Sequence, residues 1–286
     1  MLKTGIKSTA YLSFNDYEAG MQKMRAHGYD CIDYQGFLSY QASPLYKMSD
    51  TELKKYLTDF KNCAEKNHLR VWQLHGCWPH VNDLTAEGRA QTIEYFKKSI
   101  LGANYLNCPY VVVHPCMSKG WASGTEEEMF ETNVQLLQSL RPYAEEMGVV
   151  VCLENMPFAC GTTFSTIREL KNVVRELNSP YVKVCLDTGH LNVSESDIYE
   201  SITLLDEDLA VLHVHDDDSL KRDRHLIPYL GQIEWNKFIR GLRDISFKGC
   251  ISLETSIPKE MPSHILEAMQ IQLANIAKYF AEEIEK

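Results

Sequence analysis

The chain has 286 residues, 44% of them hydrophobic, which is enough to bury a sizeable core. Its formal net charge of −10 argues mildly against a surface built to hold nucleic acid, while leaving room for a local basic patch. No stretch approaches the ~18 apolar residues of a membrane-spanning helix, and the opening MLKTGIKSTAYLSF lacks the apolar centre of a secretion signal, so no membrane partner is expected. The nine cysteines are odd in number and include no CxxC pair, so they read as reduced thiols of a cytoplasmic protein.

From the N-terminus, short apolar runs alternate with helical segments. Strands are predicted at 4–8, 29–34, 70–75, 110–114, 149–154, 182–187, 209–215 and 249–254. Continuous runs such as VVVH and VVVCLE suit strands buried on both faces, as in a parallel sheet. Helices are predicted at 16–27, 50–67, 86–106, 125–147, 165–177, 197–205, 235–245 and 262–284 from their 3.6-residue periodicity and caps. Ser49 or Asp50 can cap the second, and Thr125 with Glu128 makes a capping box for the fourth. Eight β/α units without a break in composition predict one closed (β/α)8 barrel spanning 1–286 as a single domain. The alternative is an open doubly wound sheet. No GxGxxG follows the first strand and no GxxxxGK[ST] occurs, so nothing supports a nucleotide-binding form of it.

The polar residues fall where such a barrel places its active site, at the C-terminal strand ends. His75 ends the third strand, His114 the fourth, Glu154 the fifth and Asp187 the sixth, with His190 three residues on. His213 lies on the seventh, Asp223 and His225 in the loop after it, and Glu254 ends the eighth. Taken singly, a strand-end carboxylate is more often a cap or a loop hydrogen-bonder, and a lone histidine is more often packed. Together, converging carboxylates repel and are costly to desolvate, a cost that a divalent cation removes. Glu154, Asp187, His213 and Glu254 are therefore the expected metal ligands. Their oxygen and imidazole donors suit zinc, manganese, iron or cobalt, with magnesium a further candidate. Cysteine is absent from the set, which argues against a structural zinc. His215 is read as structural, pointing away from the barrel axis. Asp216 to Asp218 lack the glycine and glutamate spacing of a calcium loop and read as a solvated loop, with Asp216 supporting the ligands. Lys221, Arg222 and Arg224 could meet an anion or merely balance that acidic run. Trp78, Trp121 and Phe158 could wall a sugar ring or pack loops. A homo-oligomer is compatible with the chain, but no feature fixes its state.

The motifs VVVHP at 111–115, CLENMP at 152–157, CLDTGHLN at 185–192, HVHD at 213–216, DRHLIPYLGQIEW at 223–235 and ISLET at 251–255 resemble, in this order, the xylose isomerase-like TIM barrel superfamily. That group contains sugar and sugar-phosphate isomerases and epimerases, inosose dehydratases and endonuclease IV-type apurinic-site nucleases. The resemblance covers the whole chain and is strongest from His114 to Glu254. It implies that Glu154, Asp187, His213 and Glu254 form the shared metal quartet. It also implies that Glu154 and Glu254 pass a proton from and to carbon, and that His190 touches substrate. His75, His114, His190, Asp223 and His225 match the extra ligands of the three-zinc nucleases. Two departures point away from that branch: Met156-Pro157-Phe158 replaces its glycine-rich segment, and Cys116 replaces its glycine after HP. Two others separate the chain from ketose 3-epimerases, Ser219 in place of an arginine and Tyr229-Leu230 ahead of Gly231. The expected function is a metal-dependent isomerase or epimerase acting on a small sugar, sugar phosphate or keto-polyol. Inosose-type dehydration, apurinic-site hydrolysis and non-catalytic sugar binding are the alternatives.

Overall fold

β-Branched runs and helix stops divide the chain into repeating units. The computed structural model describes all residues except 118–124, 158–164, 195, 219–222 and 259. The strands are β1 (Lys3–Lys7), β2 (Cys31–Tyr34), β3 (Arg70–His75), β4 (Tyr110–Val113), β5 (Val150–Glu154), β6 (Val182–Asp187), β7 (Leu209–His213) and β8 (Cys250–Leu253). The helices are α1 (Glu18–His27), α2 (Asp50–Lys66), α3 (Ala86–Tyr105), α4 (Glu126–Met147), α5 (Ile167–Leu177), α6 (Thr188–Val193), α7 (Ile198–Leu205), α8 (Trp235–Asp244) and α9 (Ser263–Ile284). Ser49 caps α2 and Thr125 caps α4, each in a reciprocal box with the glutamate three residues on. Gly28 ends α1 at φ 102°, where a side chain would be strained.

All strand pairs are parallel, in the order β7-β6-β5-β4-β3-β2-β1-β8. The remaining seam is closed just beyond β7, where Val214 N donates to Ser252 O at 2.8 Å and Glu254 N donates to Val214 O at 3.0 Å. The sheet is thus the expected (β/α)8 barrel. The main core lies between strands and helices, where Val111, Leu153, Leu186 and Leu212 meet Phe96, Leu137, Phe238 and Phe280. Each such side chain contributes roughly 1.5–3 kcal/mol by leaving water. Inside the barrel a separate cluster of Val112, Cys152, Cys185 and Val211 fills the axis. The strands end slightly earlier than the sequence reading placed some of them. His114 and Glu254 lie one residue past β4 and β8, and His215 lies two past β7.

Candidate metal centre

Strand register builds the site. Glu154 pairs with Cys185, and Asp187, two residues on, pairs with His213, a stagger that fits the strand tilt of a closed barrel and leaves the terminal side chains of β5, β6 and β7 together at its mouth. Glu154, Asp187 and His213 are almost fully buried, and Glu254 is 7% exposed. His213 Nδ1 lies 2.8 Å from Glu154 Oε1 and 3.4 Å from Glu254 Oε2. His114 Nε2 and His75 Nε2 approach the other Glu154 oxygen at 3.0 and 3.5 Å. On the far side Asp223 Oδ2 lies 3.3 Å from His190 Nε2 and 3.0 Å from His225 Nε2. All nine residues singled out in the sequence therefore meet at the barrel mouth. Glu154, Asp187, His213 and Glu254 can each offer a ligand atom within 4.8 Å of the others, and so can Asp187, His190 and His215, or His215, Asp223 and His225.

Several imidazoles are held by the main chain. His75 Nδ1 bonds Gly76 O, His190 Nδ1 bonds Asn155 O and His225 Nδ1 bonds Glu254 O, each at 2.8 Å. A carbonyl only accepts, so each of these nitrogens carries the proton and turns Nε2 toward the carboxylates. His213 is reversed, with Nδ1 facing Glu154 and Nε2 lying 3.2 Å from Asp33 Oδ2.

The charge balance is lopsided without a cation. Burial alone opposes charge on every group, yet Asp187, Asp223 and Glu154 push His190 up to about 10, and Asp223 and Glu254 push His225 up to about 9. Burial works against the Glu254 carboxylate too, but His213 and His225 bring it down to about 2. His114, where burial dominates, is lowered to about 4 and stays neutral with a free lone pair. The carboxylates thus draw protons onto the neighbouring imidazoles, taking from them the positive charge a bound cation would supply.

The loop after β7 is folded by its acidic run. Asp216 accepts from the main chain of Asp217, Tyr229 and Ile233 and from Trp235 Nε1. Asp217 accepts from Asp218 N and Arg224 N, both at 2.7 Å. Both carboxylates are buried, so this part of the run is a scaffold for Asp223 and His225 and not a solvated loop. Asp216 supports the site through its carbonyl, which lies 3.2 Å from His215 Nδ1. Arg224 pairs with Asp218. Ser219, Lys221 and Arg222 lie outside the described residues, as do Trp121 and Phe158. Trp78 packs its ring 4.4 Å from that of His114, on the wall of the mouth.

His215 corrects the sequence reading. It is fully buried, and its Nε2 lies 3.0 Å from Asp187. Residues two apart on an extended chain share a face, so alternation puts His215 beside His213 and not opposite it. Gly189 makes room for it: a Cβ there would lie 1.9 Å from His215 Cε1. The sequence reading also passed over Asp33, against His213, and Gln35, whose Nε2 donates to Glu254 Oε1 at 2.8 Å. Both follow an apolar strand start, and that is the signal that could have found them.

The residues present fit a divalent metal. Glu154 Oε2 lies 3.0 Å from His114 Nε2 yet makes no well-directed hydrogen bond, and His114 Nδ1 is buried without a partner, a costly condition for which an ion bound to Glu154 would compensate in part. The sulfur-free mixture of carboxylate and imidazole suits zinc or manganese.

The fold has close counterparts. A family model described as xylose isomerase-like TIM barrel matches residues 21–276. A D-psicose 3-epimerase of Ruminiclostridium cellulolyticum is 26% identical over 253 residues, covering 84% of this chain and 78% of its own. The "Probable endonuclease 4" of Metamycoplasma arthritidis is 24% identical over 196 residues, 64% of this chain and 69% of its own. Among solved structures, the IolI protein with a bound zinc atom superposes with a TM-score of 0.74 at 21% identity, covering 99% of this chain and 98% of that one. At that identity the last likeness concerns the fold alone. The match over nearly the whole length shows that the chain belongs to the xylose isomerase-like TIM barrel family.

Proposed function

We propose that the protein is a metal-dependent isomerase or epimerase that moves a proton on the carbon next to the carbonyl of a keto-sugar or keto-polyol. One observation carries the reading. Glu154 Oε1 and Glu254 Oε2 converge on His213 Nδ1, at 2.8 and 3.4 Å. Glu154 Oε1 is held by His213, and its Oε2 lies 3.0 Å from His114 Nε2 without a well-directed hydrogen bond. Glu254 Oε1 is held by Gln35, which leaves Oε2 turned toward the site. Two fixed carboxylates that flank a bound carbon can take a proton from one face of it and return one to the other. Glu154, Asp187, His213 and Glu254 would hold the cation, zinc or manganese by donor chemistry, which when bound polarises the substrate's carbonyl and hydroxyl oxygens. His190, kept in one tautomer by Asn155 O, would orient the substrate. The 26% identical D-psicose 3-epimerase supports this class of reaction.

The test is deuterium wash-in. Metal-loaded protein in D2O with ketopentoses and ketohexoses should exchange the proton beside the carbonyl, read by proton NMR. Glu154→Gln and Glu254→Gln should each reduce exchange by about 10³-fold with an unchanged circular dichroism spectrum. Full exchange in either variant would overturn the assigned roles. Product mass separates dehydration, which loses water, from epimerisation. A second reading, metal-assisted hydrolysis at apurinic sites, is favoured by His75, His114, His190, Asp223 and His225 all joining the same mouth. Three metal equivalents together with nicking of an abasic duplex would put it first.

A further inference from the structure

Lys7 stands at the ligand level of the barrel and belongs to none of the groups described above. In the register of β1 with its neighbours, Gly5 lies beside Ser252, Ile6 beside Leu253 and Lys7 beside Asp33. One step further along the β1–β8 pair, Lys7 lies level with Glu254, about one strand spacing or ~4.8 Å away. Gly5 faces inward, since a Cβ on it would meet the Sγ of Cys250 and the Cβ of Cys31. Lys7, two residues on, shares that face. It is therefore a cation on the same rim as Asp33 and Glu254, and its ammonium bonds Ser256 Oγ at 3.1 Å. Among the described residues it has no ion-pair partner.

Beside it opens a cavity of about 630 Å³ between the ends of β1 and β8 and the flank of α9. Lys7, Thr9, Ser13, Lys23 and Ser256 are among its polar lining residues, and Asp16 is the one carboxylate among the residues that line it. Lys23 leans outward to Glu267 at 3.8 Å, which leaves Lys7 as the inner charge. A hydrogen-bond chain links the cavity wall to the centre: Thr9 Oγ1 donates to Gln35 Oε1 at 2.9 Å, and Gln35 Nε2 donates to Glu254 Oε1 at 2.8 Å.

We propose that this cavity is the subsite for the far end of the substrate, and that this end carries an oxyanion, a phosphate ester or a carboxylate. Lys7 supplies the counter-charge, and the Ser256 hydroxyl beside it donates to the anion. Charge-assisted hydrogen bonds of this kind add both affinity and orientation. The subsite deepens the proposed isomerase reading by naming its substrate class, a keto-sugar phosphate or a keto-sugar acid, and it rests on that reading only for the reaction.

Its test needs no turnover. Calorimetric titration of the metal-loaded full chain compares sorbitol, sorbitol 6-phosphate and gluconate. At least one of the two anionic polyols should bind about tenfold tighter than sorbitol, or more, and which one does so identifies the anion. Lys7→Gln should bring that ratio to near one, and Lys7→Arg should restore it. Inorganic phosphate should compete with the anionic polyol on the wild-type protein, which keeps the proposal testable if Lys7→Gln fails to fold. Equal binding of all three polyols overturns the subsite. So does an anion preference that survives in Lys7→Gln, because the anion then sits on the metal. A chain that binds sorbitol 6-phosphate through Lys7 yet exchanges no substrate proton keeps the subsite and loses the isomerase reading.

Discussion

Two layers of the barrel interior stand one strand period apart and differ in everything but burial. The lower holds Val112, Cys152, Cys185 and Val211. The upper holds His114, Glu154, Asp187 and His213, each two residues further along and on the same face. In the lower layer burial pushes the Cys152 and Cys185 thiols up, so they are neutral fillers and poor ligands. In the upper layer the same dry surroundings make each carboxylate expensive unless a positive charge lies beside it. The backbone treats both layers alike. A polar side chain at the last strand position is enough to turn packing into a centre that calls for a cation.

Removing the metal should separate the layers most strongly. In the metal-free protein His190 and His225 are raised to about 10 and about 9, above their ordinary value of 6.5. The stability they add is fully present below pH 6.5, where folded and unfolded forms are both protonated. It is lost as pH rises through 9 to 10. The slope in that window is about 1.4 kcal/mol per pH unit for each linked proton. Glu254, lowered to about 2, adds stability above pH 4.5 that is lost as pH falls through about 2. Urea midpoints of metal-free protein should therefore decline from neutral toward pH 9, and zinc or manganese should flatten that decline. A flat metal-free profile would break the comparison. A smaller effect is expected at Asp33, whose carboxylate faces His213 Nε2. Asp33→Asn should weaken metal binding about 10- to 100-fold in a chelator competition, by loosening the orientation of that imidazole. Unchanged affinity would remove Asp33 from the support of the site. The smallest effect belongs to the lower layer. Cys152→Ala should cost about 1 kcal/mol in urea unfolding, chiefly through the small void left behind, while metal content stays as in the wild type. Loss of metal in that variant would show that the layers are not independent.

Much of this arrangement was legible because barrel strands are apolar runs that stop on a polar residue. Glu154, Asp187 and His213 close VVCLE, VKVCLD and LAVLH in this way. Helix α6 was not legible. Six residues beginning Thr-Gly carry too little propensity to announce a helix, and what holds it is Asp187, whose Oδ1 accepts from His190 N at 2.7 Å. Lys7, Asp33 and Gln35 were passed over for a different reason. A lysine, a lone aspartate and a glutamine at strand ends look like ordinary exits from a sheet, and only the pairing of β1 with β2 and β8 brings Lys7 and Asp33 to the level of Glu254. Asp216 looked like surface because an acidic triplet usually is solvated. Here the hydrogen-bonding needs of a tight loop draw it inside.

The carbonyls of Gly76, Asn155 and Glu254, which fix the tautomers of His75, His190 and His225, have a consequence for inheritance. A side-chain acceptor can be lost by one nucleotide change, whereas a main-chain oxygen is present whichever residue is encoded there. Only a change in the path of the chain removes it. The aim of these imidazoles is thereby insulated from drift, and the loops above them are free to vary. A centre supported in this way can pass from one substrate to another over descent without having to be rebuilt.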